Sequence, residues 1–366
     1  MKIKLTKLPK SEVELQVVVD EKAFAAYHDK GFKAVQNMVE IDGFRKGNAS
    51  EDAIVKKYGE MIILEEMANI ALRDAYVEAV KEHKLVPVAD PKITITKLAK
   101  DNPLELTMVV PVMPEVELPK YKKLAEAKAK EHVVEEVTDK DIDDVVEELR
   151  KGRVAQHSHD HDHSHEGHDH DGHDHEAHEH HEHETPEGKS PTLPEVNDEF
   201  AQSFGGDFKT VVELKAKIAE NLKLEKEQKT REKRRMAIME ELIKETKADL
   251  PEAMVEMELD RMLMQMKSDV TRFGGTWDDY LKHSNKTEAE LKTTWRDDAH
   301  KRSMSQLILA EIARAEKIVP TDEEIETELV RLLATVQDAD EERARAYLYQ
   351  ALSNEKVLAF LEAETK

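Results

Sequence analysis

The stretch DFKTVVELKAKIAENLKLEKEQKTREKRRMAIMEELIKET, residues 207–246, decides the fold class of this chain. Val211, Leu214, Ile218 and Leu222 fall three or four residues apart, and Met236, Met239, Leu242 and Ile243 resume that spacing further along. Apolar residues at a period of 3.6 with charges between them predict one long amphipathic helix. The pattern continues to the C-terminus. Leu250 and Pro251 mark a break, with Pro251 suited to a first helical position. PEAMVEMELDRMLMQMKSDVTRFGG ends on a glycine pair that fits a helix C-cap. Thr287 with Glu290, and Thr321 with Glu324, read as capping boxes that open two later helices. From residue 197 onward the chain reads as almost wholly helical.

Composition agrees. Of 366 residues only 12 are glycine and 12 proline, aromatics make up 5 %, and charged residues 37 %, which suits solvent-washed helices better than compact β cores. There is no cysteine, so disulfides and thiolate metal sites are excluded, and a reducing compartment is expected. The first twenty residues lack an apolar run with a small-residue cleavage site, and no stretch nears eighteen apolar residues. A soluble, cytoplasmic protein with no membrane partner is expected. The net charge of −24 is uneven: residues 1–120 carry 18 Lys/Arg against 20 Asp/Glu, whereas residues 157–188 carry eleven acids and no Lys/Arg. Local potential steers partners, so the acidic total does not exclude a basic face that meets RNA.

Working toward the N-terminus, TDKDIDDVVEELRKGRV, residues 138–154, is a helix with Thr138 as cap and Ile142, Val145, Val146 and Leu149 as its apolar stripe. Before it, EVELQVVVD (12–20) reads as a strand, residues 20–38 as a helix, and residues 51–85 as a long helical pattern broken near Gly59. KITITKLA and LELTMVVPVMPEVEL are strand-like runs joined by the turn KDNP. The first 118 residues therefore form a small α+β domain: strand, helices, β pair.

Between the two parts lies HSHDHDHSHEGHDHDGHDHEAHEHHEHE, residues 157–184, with thirteen histidines, ten acids and no basic residue. Its candidate metal ligands are His157, His159, His161, His163, His165, His168, His170, His173, His175, His178, His180, His181 and His183. Imidazole and carboxylate bind Zn, Ni and Cu, and protonation of histidine below about pH 6 weakens such sites. Low complexity and high charge predict a disordered linker over 155–192, with adaptable, unselective metal sites and no walls to hold a catalytic one. No cofactor is required. Zn, Ni or Cu on the tract, adventitious or regulatory, stays open. Nucleophile-elbow, zinc-protease and phosphate-loop motifs are missing, and acid pairs such as Asp278/Asp279 read as solvated helix faces.

Five residues in a turn-rich stretch, GFRKG (43–47), place Arg45 and Lys46 between two glycines with Phe44 beside them. Arg forks onto phosphate, Lys adds a point charge, and Phe44 can stack or insert. This loop resembles the ribosome-docking signature of the trigger factor family. VMPEVELPKYKKL, VTDKDIDDVVEELRK, LPEVNDEFAQSFG, DLPEAMVEMELDRMLMQM and WDDYLKHSNKTEAELKTTWRDDAHKR follow in that family's order. The resemblance implies four segments: a ribosome-binding domain (1–118), a linker segment and helix (119–154), the His-rich linker (155–192), and an elongated helical client-binding domain (193–366). It implies docking on the large subunit near the exit tunnel through Gly43, Phe44, Arg45, Lys46 and Gly47. It further implies ATP-independent holding of nascent chains, and a homodimer off the ribosome. Two departures stand out. The loop continues as Asn48, Ala49 and Ser50 where the family has a basic residue and a proline. The roughly forty residues between Arg150 and Leu193 are too few and too polar for the family's FKBP-type prolyl isomerase domain. No catalytic activity is expected. Met254, Met257, Met262, Met264 and Met266 are candidate client contacts, because methionine adapts to varied apolar partners. Spacing puts 254, 257 and 264 on one face. Two rival readings stay open here: a metal-homeostasis protein working through the tract, and an active prolyl isomerase by family membership.

Overall fold

The computed structural model describes residues 1–159, 193–205, 208–335 and 340–363. The described residues divide into two compact units, one of residues 1–126 and 238–366, the other of residues 127–237.

The N-terminal part runs β1 (Lys2–Leu8), β2 (Glu12–Val19), α1 (Glu21–Ala25), α2 (His28–Met38), α3 (Glu51–Tyr58), α4 (Met61–Glu82), β3 (Lys92–Lys97) and β4 (Leu104–Pro111). The four strands form one antiparallel sheet in the order β1-β2-β4-β3. Alternation sends every second side chain to one face. Val13, Leu15, Val17 and Val19 thus stand opposite Val110, Met108, Leu106 and Leu104, all eight buried. Phe24, Val35, Ile54, Ile63 and Met67 from the helices close that face. Ala68, Ala71, Ala75 and Ala79 make a small-residue stripe that seats α4 deep in the core. Gly31 lets α2 cross it, because a Cβ there would lie 2.6 Å from Met67 Cγ.

The expected single N-terminal strand is a hairpin. β1 was hidden by its lysines, yet Ile3 and Leu5 alternate with Lys2 and Lys4 and pair with Val17 and Leu15. The helix expected over 20–38 is two helices, with Ala26 and Tyr27 in a turn between them. Gly59 breaks the next pattern as expected, at φ 85°. β4 ends at Pro111 rather than running on to Leu118, and Glu117 instead bridges Lys247.

The helical remainder comprises α5 (Tyr121–Glu131), α6 (Asp139–His159), α7 (Asp198–Gln202), α8 (Val211–Glu245), α9 (Glu252–Arg272), α10 (Trp277–Ser284), α11 (Glu288–Glu316), α12 (Asp322–Thr335) and α13 (Glu341–Ala363). Ile238, Leu242, Val255, Leu259, Ile308, Ile312, Val357 and Leu361 form the main helical core. α5 contributes Ala125 to it, and Tyr121 Oη donates to Glu316 Oε1 at 2.6 Å. Glu316 is held below the usual carboxylate range by that bond first, then by Lys122. Both capping boxes are present, with Thr287 N–H 2.8 Å from Glu290 and Thr321 N–H 2.7 Å from Glu324. Pro251 sits at the N-cap of α9, one place before the first helical position expected for it. Ile325, Leu329, Ala344 and Leu348 join α12 to α13.

In the second unit, Val146 of α6, Phe200 and Ala201 of α7, and Leu214 and Ile218 of α8 share a smaller core. α6 continues to His159, five residues past the expected end of the linker helix. Thr138 and Asp141 cap it reciprocally, and Lys226 bonds Asp141 at 2.7 Å. These contacts, Lys226 first, hold the Asp141 carboxyl at about 2.

Candidate docking loop and client-binding face

Residues 39–50 connect α2 to α3. Gly43 and Gly47 adopt φ of 87° and 84°, the left-handed region that glycine enters without steric cost. Backbone bonds hold the turn: Phe44 N–H donates to Ile41 O (3.0 Å), Asn48 N–H to Arg45 O (3.0 Å), and Gly47 N–H to Gln36 O (3.1 Å). Gln36 Nε2 donates to Ala49 O at 2.7 Å, and buried Ala49 plugs the loop into the domain. Lys57 Nζ and Tyr58 Oη both donate to Glu40 O, at 3.0 and 3.1 Å. Ser50 caps α3 by accepting from Ala53 N–H at 3.4 Å. The result is a pinned stem with a free tip. Phe44 is 44 % exposed, Arg45 and Lys46 are exposed, and neither cation has an ion pair among the described residues. Lys57 lies 3.6 Å from Asp42, the residue just before Gly43, and offsets its charge. Met38 and Tyr58, both exposed, flank the stem. The sequence reading missed both, since nothing in a helix pattern marks a solvent-facing Met or Tyr.

The methionines of α9 fall on different sides. Val255, Glu258, Leu259 and Leu263 are its buried face. Met254 and Met262 pack against the helical core, and Met266 is half-buried. Met257 and Met264, two turns apart, are 51 % and 72 % exposed. The face expected to hold 254, 257 and 264 therefore keeps only the last two. Phe273, at the C-cap of α9, is 87 % exposed. A further apolar surface was not expected. An open groove of about 670 Å³ between α11 and α13 is lined by Ala310, Ala313, Ala346, Val319, Tyr349 and Arg314. Alanines carry no pattern signal, so only packing reveals it. Inside, Glu258 is buried but bonded to Arg261 at 3.0 Å and Gln306 at 3.4 Å, a structural pair.

The histidines expected to bind metal, from His157 to His183, lie outside the described residues, apart from the backbone of α6 to His159. Among the described residues no group of three or more His, Asp or Glu could hold a metal ion. His28 pairs with Glu51 at 3.1 Å, and His283 Nδ1 lies 2.8 Å from Asp279 O. Asp279 belongs to the Thr276 cap of α10 rather than to a catalytic pair. Among the described residues no helix is long and apolar enough to cross a membrane.

Two family models match this chain, "Bacterial trigger factor protein (TF)" over residues 1–149 and "Bacterial trigger factor protein (TF) C-terminus" over residues 210–364. The chain belongs to the trigger factor family. The trigger factor of Clostridium botulinum (strain Hall) is 25 % identical over 428 aligned residues, covering 100 % of this chain and 99 % of the relative. That of Bacillus cytotoxicus is 28 % identical over 390, covering 91 % and 90 %. A solved structure reported as "Promiscuous Substrate Recognition in Folding and Assembly Activities of the Trigger Factor Chaperone" shares the fold over 100 % of both chains, with a TM-score of 0.56 at 20 % identity. As a trigger factor, the protein is a chaperone of the ribosome-associated family. Residues 150–209, between the two matches, hold the His-rich tract.

Proposed function

We propose that this trigger factor docks on the large ribosomal subunit near the exit tunnel through residues 43–47 and holds nascent chains on its helical domain without ATP or isomerase chemistry. The observation that carries the docking is the pinned loop with exposed Phe44 and an Arg45–Lys46 tip that has no ion pair among the described residues. Two cations on a preformed turn meet phosphate without first ordering the backbone. Clients bind by burial of their apolar residues on Met257, Met264 and the α11/α13 groove, and leave as folding hides those residues. The ribosome places this work in the cytoplasm. Between Arg150 and Leu193 the composition supplies no apolar strands for a catalytic barrel. Replacing Phe44, Arg45 and Lys46 with alanine should abolish co-sedimentation with ribosomes, and unchanged co-sedimentation refutes the docking. A tetrapeptide isomerisation assay should give the uncatalysed rate, and catalysis there refutes the loss of the isomerase.

A second reading concerns the tract alone. Its thirteen histidines and ten acids are a chelating composition for Zn, Ni or Cu. Calorimetric titration with Zn should show binding that is lost when residues 157–184 are removed. Equal binding without them overturns it.

A further inference from the structure

We propose that the outer edge of β3 is a second client site, which takes an extended, acid-bearing polypeptide segment as a fifth strand of the N-terminal sheet. β3 pairs with β4 on one side only and ends the sheet. All six of its residues are exposed. Backbone N–H and C=O groups on the outer side of such a strand have only water as partner, which is the template for strand addition. The edge is longer than β3 itself. Val88 N–H donates to Pro111 O (3.0 Å) and Met113 N–H to Val86 O (2.8 Å), so residues 86–88 pair with residues 111–113 at and just past the end of β4.

The side chains give the edge a direction. Ile93 stands opposite Met108 and Ile95 opposite Leu106, so both lie on the core face of the sheet. Met108 and Leu106 are covered by the helices, whereas Ile93 and Ile95 are 45 % and 40 % exposed. They form an apolar ledge beyond the helix layer, which a neighbouring strand would cover. At the opposite edge, β1 has no such ledge, since its Ile3 and Leu5 are half-buried against the core.

Charge selects the occupant. Lys92 and Lys97 close the two ends of β3, with no ion pair among the described residues; Glu105 stands opposite Lys97 on the inner side, and Asp90 lies two residues before Lys92, so the outer side of β3 itself carries lysine and no acid. Antiparallel pairing of β3 with the β3 of a second copy would set Lys92 against Lys97 at both ends, and like charges directly opposite repel. The lysines therefore guard the edge against its own copy and favour a strand with apolar alternation and carboxylates at its ends. The inference rests on the holdase reading only for the source of that strand, and the site is distinct from the helical face.

The test uses the full chain and a fluorescein-labelled peptide, acetyl-Glu-Val-Thr-Val-Thr-Val-Glu-amide. Anisotropy should report binding, and hydrogen–deuterium exchange over β3 should slow when the peptide is present, a response that side-chain docking alone would not give. Ile93→Asp with Ile95→Asp should weaken binding about tenfold or more. Methylation of one alternate set of peptide amides should abolish binding and methylation of the other set should spare it. Met257→Glu with Met264→Glu should leave the peptide bound while lowering suppression of aggregation, so the two sites fail separately. Unchanged exchange at β3 with peptide bound, or equal binding by both methylated peptides, overturns the proposal. So does a dimer that dissociates in the Ile93/Ile95 variant while the wild type ignores the peptide, because the occupant is then a second copy.

Discussion

Replacing Gly47 with alanine tests whether the loop docks in the shape described. Gly47 has φ of 84°, and its amide is bonded to Gln36 O at 3.1 Å, so the backbone cannot relax without losing the stem. An L-residue in the left-handed region costs about 1–2 kcal/mol. An added Cβ would also lie 2.9 Å from Asn37 Oδ1, but Asn37 is exposed and its amide can swing away, so that part is small. Gly43 supplies the control: its φ is 87° and a Cβ there meets nothing within 4 Å, leaving backbone strain alone. Where the free loop escapes that strain by leaving the described turn, and the ribosome binds the turn, each alanine should raise the dissociation constant by as much as about 5–30-fold, since 1.4 kcal/mol is tenfold. Gly47→Ala combined with Asn37→Ala should match Gly43→Ala. Gly47→Asn should do less harm, because asparagine tolerates left-handed backbone. Titration of labelled protein onto ribosomes measures all four, with circular dichroism to show the domain intact. Binding within about twofold of wild type for both single alanines would show that the loop docks in another form, and the pre-set turn would lose its role.

Leu259→Ala empties a fully buried position in the helical core and should lower the unfolding transition by about 2–5 kcal/mol, read from Trp295 fluorescence in urea, while Met264→Ala stays within about 0.5 kcal/mol. Asp141 and Glu324 are both held at about 2, by hydrogen bonds from Lys226 and Thr138 and from Lys356 and Thr321 respectively. Their folded values lie below the ordinary carboxylate value, so their stabilisation is complete above about pH 5 and is lost as pH falls toward 2. Asp141→Asn should flatten the urea midpoint across that window relative to wild type, and an unchanged slope refutes the pairing. Removal of residues 160–192 should leave the unit of residues 127–237 folded if a bridge spans the gap. α6 runs about 14 Å from Arg150 to His159, and about eight Gly/Ser residues reach that far. The melting midpoint of the bridged variant should match wild type within a few degrees, and loss of helicity would mean the segment contributes to the core.

The parts of the fold most legible in the sequence are those fixed by local chemistry. Thr287 with Glu290 and Thr321 with Glu324 close their boxes because each cap needs only its own four residues. Gly59 breaks its helix and Gly274 ends another because both need positive φ. The exposed turn at residues 43–47 was readable for the same reason, since Gly43 and Gly47 both take positive φ. What stayed hidden depends on who covers whom. β1 was masked because its solvent face is lysine and its core face only Ile3 and Leu5. Met254 and Met257 look alike at helical spacing, and only packing against the helical core turns one inward and leaves the other out. KITITK reads as an ordinary half-buried strand, yet the helix layer stops short of it and leaves Ile93 and Ile95 uncovered.

The geometry of residues 127–237 explains how a segment as unusual as 157–184 can sit inside a chaperone. Chain on both sides of it meets in one core: Val146 and Leu149 arrive from α6, Phe200 and Ala201 from α7, and Leu214 from α8 closes over them. Arg150 clamps the junction, its Nε donating to Pro194 O at 2.7 Å while Nη1 donates to Glu147 at 2.6 Å. With both flanks fixed by their own packing, whatever lies between them enters stability mainly through loop closure, which changes by only about 0.6 kcal/mol for each doubling of length. Neither the length nor the composition of the insert is then constrained by the frame. A folded domain and a run of histidines and acids are interchangeable there as far as the frame's stability is concerned.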